Sequence, residues 1–85
     1  MLDKSVVEFY LRKDDDPIEI QLEPDGIIFE VLAEKSLRFV AKNYEPDFIW
    51  AIRVEHKAGA IQLCPEGTGN YVIEVYESDI LIYTM

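Results

Sequence analysis

Residues 18–23 read Ile-Glu-Ile-Gln-Leu-Glu, a strict alternation of apolar and polar side chains. Successive side chains of a β-strand point to opposite faces, so Ile18, Ile20 and Leu22 would share one face. The alternation therefore predicts a strand with one buried side and one solvated side. The same period of two recurs along most of the chain, which indicates an all-β protein.

The segment before this strand, residues 6–12, alternates in the same way and predicts another strand. Residues 14–17, Asp-Asp-Asp-Pro, lie between the two and favour a turn, because aspartate side chains bond nearby backbone N–H groups and proline presets φ. A hairpin closed by this turn would pair Arg12 with Glu19, which are oppositely charged. In that interpretation the three aspartates belong to the turn.

A second turn follows at residues 23–26, Glu-Pro-Asp-Gly, and after it the pattern allows two interpretations. Residues 29–42 could form one amphipathic helix packed on a sheet, which would make the fold α+β. They could also belong to two strands that turn at Glu34 and Lys35. The run Ile27-Ile28-Phe29 is typical of a strand, and no good helix cap precedes it, so we favour two strands.

The remainder of the chain is β in pattern. Alternation over residues 48–55, a turn at residues 56–59, and a last hairpin around Ser78 and Asp79 predict further strands. If Ala58 and Gly59 form a two-residue turn, Val54 pairs with Leu63 and Arg53 with Cys64. We therefore expect a small antiparallel β-sandwich or partly open barrel of six to eight strands.

Length and composition limit the possible functions. The 85 residues suffice for one domain, residues 1–85, and the net charge is −9, with 17 acids against eight Lys and Arg. Nucleic-acid affinity comes largely from Lys and Arg that neutralise phosphates, so this balance argues against a nucleic-acid partner. It also disfavours an anionic membrane surface. An acidic chain is better suited to a basic protein partner.

Cysteine usage and apolar runs give an expected location. A single cysteine, Cys64, allows no intrachain disulfide, which suits the cytoplasm. The first nine residues, MLDKSVVEF, lack the apolar core of a signal peptide. No apolar run approaches the roughly 20 residues of a membrane span. We expect a cytoplasmic protein without a membrane segment.

The sequence predicts no catalytic, metal or cofactor site. His56 is the only histidine, and the predicted register points it and Cys64 to opposite faces. The segment LCPEGTGNYVIEV, residues 63–75, resembles the last loop of cupredoxin-like proteins, which implies a β-sandwich. A blue-copper site needs two histidines, and Gly67 stands where the second would lie, so the resemblance implies no copper ligand here. We therefore expect a protein that is not an enzyme.

Acid density gives the first functional hypothesis. From Asp14 to Glu34 the chain has eight carboxylates and no Lys or Arg. This predicts a small acidic binding protein, such as an inhibitor or immunity-type protein that engages a basic protein. The candidate partner-binding residues are Asp14, Asp15, Asp16, Glu19, Glu23 and Asp25.

The C-terminal hairpin gives the alternative hypothesis. Residues 80–83, Ile-Leu-Ile-Tyr, are apolar on both faces, and no Lys or Arg follows Ala58, although such charges usually protect sheet edges. Tyr76 should lie beside Leu81, on the face opposite Val75 and Ile82. This favours a structural or self-assembling module with a homo-oligomeric interface, for example a homodimer. The candidate interface residues are Tyr71, Tyr76, Leu81 and Tyr83.

Overall fold

The structure, a computed structural model, describes residues 5–85 as eight β-strands. In chain order they are β1 (Val6–Tyr10), β2 (Ile18–Leu22), β3 (Ile27–Val31), β4 (Ser36–Lys42), β5 (Ile49–Glu55), β6 (Ala60–Glu66), β7 (Val72–Glu77) and β8 (Ile80–Thr84). The prediction of an all-β fold with six to eight strands is confirmed. Residues 1–4 lie outside the described residues. They belong to the N-terminal segment for which the sequence predicts no signal peptide.

The strands form two four-stranded sheets that pack as a β-sandwich. Sheet one has the order β1-β4-β7-β8, and sheet two has the order β3-β2-β6-β5. Neighbours in sheet one are all antiparallel, whereas β2 and β6 run parallel at the centre of sheet two. This parallel pair makes sheet two mixed, which the alternation alone did not predict.

Residues 27–43 form two strands, so the α+β alternative is wrong. Phe29 and Val31 of β3 turn inward, while Ile28, which precedes Phe29, is 58% exposed. On β4, every second side chain from Leu37 to Ala41 is buried. Burial at a period of two requires a strand, and the β-branched start at Ile27 agrees with it.

The predicted hairpin between β1 and β2 is wrong. β1 pairs with β4 in sheet one, and Glu19 of β2 lies opposite Glu30 rather than Arg12. The aspartate-rich loop still makes a turn, in which the Asp15 N–H donates to the Arg12 carbonyl at 3.0 Å. That turn carries the chain from one sheet to the other. The alternation of apolar and polar residues does not distinguish one strand partner from another. The pairing is determined instead by how the strands bury their apolar faces between the two sheets.

The register of the β5–β6 hairpin also differs from the prediction. The connection has four residues, 56–59, closed by the Gly59 N–H donating to the His56 carbonyl at 3.3 Å. Leu63 therefore lies opposite Ile52 instead of Val54, and Cys64 lies opposite Ala51 instead of Arg53. A shift of two residues keeps every side chain on its predicted face.

The β7–β8 hairpin turns at Ser78 and Asp79 as predicted, and Tyr76 lies opposite Leu81. Beyond this pair a register shift brings Tyr83, rather than Ile82, opposite Val75. Ile82 is the extra residue of a β-bulge. The prediction that Ile82 pairs with Val75 is therefore wrong, and the bulge lets Tyr83 reach Phe29 in the core, with ring centroids 5.7 Å apart.

Two aromatic groups fill the space between the sheets. Phe39, fully buried on β4, makes edge contacts with Phe9 of its own sheet and Phe29 of the other sheet. Nearer β5, Phe48 contacts Trp50 and Tyr71. Because these rings belong to both sheets, they hold the sheets together, and the outward faces are left for solvent or partners.

Candidate functional site

The outer face of sheet two carries a glutamate on each of its four strands, and those of β2, β3 and β5 lie at the same level of the sheet. Glu19 of β2 lies directly opposite Glu30 of β3, and on its other side it lies beside Ala60 of β6. Ala60 in turn lies opposite Glu55 of β5. Because paired residues point to the same face, Glu30, Glu19 and Glu55 form one line across the sheet, which we call the acidic row.

The three side chains of the acidic row are exposed. Neighbouring strands lie about 4.8 Å apart, so Glu19 and Glu30 are near neighbours, while Glu55 lies about two strand spacings from Glu19. The ion pairs between residues 5 and 85 are Arg38–Asp79 and Lys42–Glu74, and both lie on sheet one. Within the described residues, therefore, the acidic row has no salt bridge.

The aspartate-rich loop leads into β2 and so lies next to Glu19, the middle member of the acidic row. Asp14, Asp15 and Asp16 are exposed and precede β2, and Glu19 lies in that strand. Asp15 has a structural role as well, because its carboxylate accepts a hydrogen bond from the Arg12 N–H at 2.9 Å. The loop therefore adds acidic side chains next to the acidic row. Asp14 and Asp16 are the two aspartates of the loop other than Asp15.

Two predicted partner-binding residues lie elsewhere. Glu23 and Asp25 belong to the turn between β2 and β3, at the opposite end of β2 from the aspartate-rich loop. Glu23 lies four residue steps along the chain from Glu19, a distance of about 13 Å. The carboxylate of Glu23 also accepts a hydrogen bond from the Gln21 amide at 2.6 Å. The structure thus groups Glu19 with the loop and sets Glu23 and Asp25 apart.

Two members of the acidic row, Glu30 and Glu55, were not among the predicted site residues. Glu30 could have been found, because the turn at residues 23–26 fixes the pairing of β2 with β3 and places Glu30 opposite Glu19. Glu55 depends on the parallel pairing of β2 with β6, for which the sequence has no local signal.

Two of the four predicted interface residues at the C-terminal hairpin face inward. Tyr71 is half-buried against Phe48 and donates its hydroxyl hydrogen bond to the Pro65 carbonyl at 3.3 Å. Tyr83 packs on Phe29 through the bulge. Leu81, 49% exposed, and Tyr76 point outward on sheet one. The outward part of this candidate interface is therefore small.

Tyr76 belongs to a polar network on the outer face of sheet one. Its ring lies under the Arg38 guanidinium, 5.0 Å from the ring centroid, and its hydroxyl donates to Glu74 at 2.8 Å. Lys42 Nζ lies 2.9 Å from the same carboxylate. The bases and acids of this network are therefore paired, whereas the acidic row has no salt bridge within residues 5–85.

The network changes the pKa values of its members. The hydrogen bond from Lys42, and then that from Tyr76, lower the pKa of Glu74. The hydrogen bond to Glu74 raises the pKa of Lys42, and attraction to its charge adds to this effect. The pKa of Tyr76 is also raised, first by its hydrogen bond to Glu74 and then by burial.

Residues with nucleophilic or metal-binding chemistry are scattered. His56 is exposed in the β5–β6 loop, and Cys64 is half-buried on β6 opposite Ala51. Across residues 5–85, no three His, Cys, Asp or Glu side chains come together as a group that could hold a metal ion. The same part of the chain contains no helix that is long and apolar enough to cross a membrane.

Comparison of the chain with family models, curated proteins and solved structures finds no match. The functional proposal therefore depends on the surfaces described above.

Proposed function

We propose that this protein is a small non-enzymatic binding protein that engages a basic protein partner through the acidic row and the adjoining aspartate-rich loop. The observation that carries the proposal is the direct cross-strand pairing of Glu19 with Glu30. Like charges placed directly opposite each other destabilise a sheet. Two exposed carboxylates that cost stability are understandable if a cationic partner neutralises them.

The chemistry of the surface supports a basic partner. An exposed line of carboxylates on a sheet attracts Lys and Arg side chains, and the net charge of −9 extends this attraction through the solvent. Such complementarity accelerates encounter and selects against acidic partners. An inhibitor or immunity-type protein that covers a basic, nucleic-acid-binding surface has these properties.

The alternative function, a self-assembling module with its interface at the C-terminal hairpin, has less support. Of its four interface residues, Tyr71 and Tyr83 pack toward the interior. The bulge at Ile82 also interrupts the regular edge that another strand would need.

Affinity capture with variants of the acidic row tests the proposal. The immobilised protein is exposed to a lysate of its native host and eluted with increasing salt, in parallel with the triple variant Glu19→Gln, Glu30→Gln, Glu55→Gln. We expect the native surface to retain a basic protein that salt releases, since exposed charges are screened over about 10 Å at 0.1 M. The triple variant should bind the same purified protein at least about tenfold more weakly, because several charge pairs are lost.

The matched control is the triple variant Glu8→Gln, Glu45→Gln, Glu66→Gln. These three glutamates are also exposed and lie outside the acidic row. Their substitution removes the same amount of charge as the substitutions in the acidic row. If both triple variants weaken binding equally, the effect comes from net charge and the acidic row is not the site. If neither variant changes the affinity, the electrostatic basis of the proposal is lost.

A further inference from the structure

The strand β5 forms one edge of sheet two and is regular along its whole length. It pairs with β6 without a register shift over all seven residues, from Ile49 opposite Glu66 to Glu55 opposite Ala60. In an antiparallel strand, backbone N–H and C=O groups point alternately toward one neighbour and away from it. Within residues 5–85 no strand pairs with this side of β5, so the groups that point away from β6 can bond to another strand.

The inward-facing side chains at the end of β5 are apolar but uncovered. Ile52 and Val54 lie opposite Leu63 and Ile61, so they point toward the core side of the sheet. They are nevertheless 51% and 56% exposed. All residues from 52 to 59 are exposed. The end of this hairpin thus presents an inward-facing apolar strip without an opposing sheet.

The opposite edge of the sandwich is a poorer template. β8 has five residues, and the bulge at Ile82 breaks its register with β7. Bulges and short strands are common devices that prevent edge-to-edge association. β5 is longer and has no such break in its pairing with β6.

Charge favours a second copy of the same chain at β5. Residues 48–59 contain two bases, Arg53 and Lys57, and one acid, Glu55, a balance of +1 in a chain of net charge −9. Two copies repel each other through their acidic surfaces, and this hairpin is a region without an excess of acids. A strongly cationic partner strand, in contrast, would prefer the acidic row to this edge.

We infer that two copies associate through antiparallel pairing of their β5 strands around a two-fold axis at Ile52. This inference uses different observations from the proposed function, although Glu55 belongs to both surfaces. An axis at Arg53 would place two guanidinium groups opposite each other, which is unfavourable. The axis at Ile52 aligns the whole strand and avoids that contact. In this register Ile52 faces its own copy, Trp50 faces Val54, Ala51 faces Arg53 and Ile49 faces Glu55.

The pairing joins the two copies of sheet two into one eight-stranded sheet. The apolar strips of both hairpins become neighbours and shield each other. The two-fold axis is perpendicular to the sheet, so both acidic rows lie on the same side. A dimer of this kind is isologous and closed, because each β5 edge is used once.

Sedimentation velocity over a range of concentrations tests this inference with two variants of equal charge change. Ile52→Lys places two ammonium groups opposite each other at the axis, and Leu81→Lys changes the other edge at nearly the same exposure, 49% against 51%. We expect a dimer for the wild type. Ile52→Lys should raise its Kd by about tenfold or more, since facing like charges are strongly unfavourable at an interface. Leu81→Lys should leave Kd unchanged.

A cysteine cross-link tests the register and does not depend on the lysine variant. Residues directly opposite in antiparallel strands have Cα atoms about 4.5–5.5 Å apart, within the range for a disulfide. In a Cys64→Ser background, oxidised glutathione should therefore link Ile52→Cys into a covalent dimer faster than Leu81→Cys. Far-UV circular dichroism confirms that each variant is folded.

Three results would overturn the inference. They are a wild-type monomer at every concentration, dissociation by Leu81→Lys to the same or a greater extent than by Ile52→Lys, and cross-linking of Leu81→Cys at least as fast as that of Ile52→Cys. The second and third would assign self-association to the C-terminal hairpin.

Discussion

At the scale of single residues, the facing pair Glu19 and Glu30 should reduce the stability of the free protein. Replacing Glu19 with Gln removes the repulsion, so we expect the free energy of unfolding to rise by about 0.5 kcal/mol. Urea denaturation measures this change. The gain should shrink in 1 M salt, where the screening length is about 3 Å.

Glu8 provides the matched control for this substitution. It lies directly opposite Arg38 on sheet one, so Glu8→Gln removes an attraction and should lower stability by a similar amount. If both substitutions changed the free energy of unfolding in the same direction, the local pairing of charges would not govern stability at Glu19.

The network around Glu74 makes a prediction about pH. The lowered pKa of Glu74 means that its contribution to stability is present above the ordinary glutamate pKa and is lost as pH falls through the lowered value. The raised pKa of Lys42 means that its contribution is present below the ordinary lysine pKa, about 10.4, and is lost as pH rises through the raised value. The raised pKa of Tyr76 acts in the same direction as that of Lys42.

Comparison of the wild type with Glu74→Gln should reveal both losses. Between about pH 5 and pH 9 the wild type should be the more stable protein by a constant amount, and the difference should narrow below about pH 4 and above about pH 10. Urea denaturation at a series of pH values measures the difference, and Glu45→Gln, outside the network, serves as the reference. A difference that stays constant from pH 3 to pH 11 would contradict the assigned ion pair.

At the scale of elements, the β2–β3 turn depends on Gly26. Its φ of +70° lies in the left-handed region, while the nearest atom to an added Cβ would be Gln21 Nε2 at 3.7 Å. The cost of Gly26→Ala is therefore backbone strain rather than a clash, about 1–2 kcal/mol in the free energy of unfolding. Gly26→Asn should cost less, because asparagine tolerates this conformation. Equal losses in thermal or urea denaturation would show that the strain is unimportant.

The strands themselves were predictable, but half of their partners were not. Alternation at residues 18–22 and 36–42 reports which side chains turn inward, and the structure confirms it. It does not report which strand lies alongside, because any strand with the same period is an equally good neighbour. Short turns fixed β2–β3 and β7–β8, whereas β1–β4 and β2–β6 join distant segments that no turn connects.

The candidate site shows the same division. Glu19 was identified from its exposed position on an alternating strand. The position of Glu30 opposite Glu19 can be inferred from the length of the turn at residues 23–26. Glu55 becomes part of the acidic row through two further pairings, one of them parallel. A surface that spans several strands is predictable only where each step between them is a hairpin.

At the scale of the whole molecule, stability should depend on the rings that join the two sheets. Phe39 is fully buried and contacts Phe9 and Phe29, which come from different sheets. Phe39→Ala should lower the free energy of unfolding by about 3–5 kcal/mol. A domain of this size has roughly 4–13 kcal/mol in total, so the loss should be about a quarter of the stability or more.

Ile80→Ala is the control for this experiment. Ile80 is 68% exposed on β8, so its truncation should change stability by no more than about 0.5 kcal/mol. Urea denaturation of the two variants compares them directly. Similar losses would mean that the interior between the sheets is not the main source of stability.

The order of strands in sheet one has a consequence for synthesis of the protein in the cell. β4 lies between β1 and β7, so the early strands β1 and β4 cannot complete their sheet until β7 has left the ribosome. Until then the apolar faces of the nascent chain lack most of their final covering. Chaperones that hold exposed apolar segments would bind this chain during translation, and a pause between β4 and β7 would prolong the period in which it can aggregate.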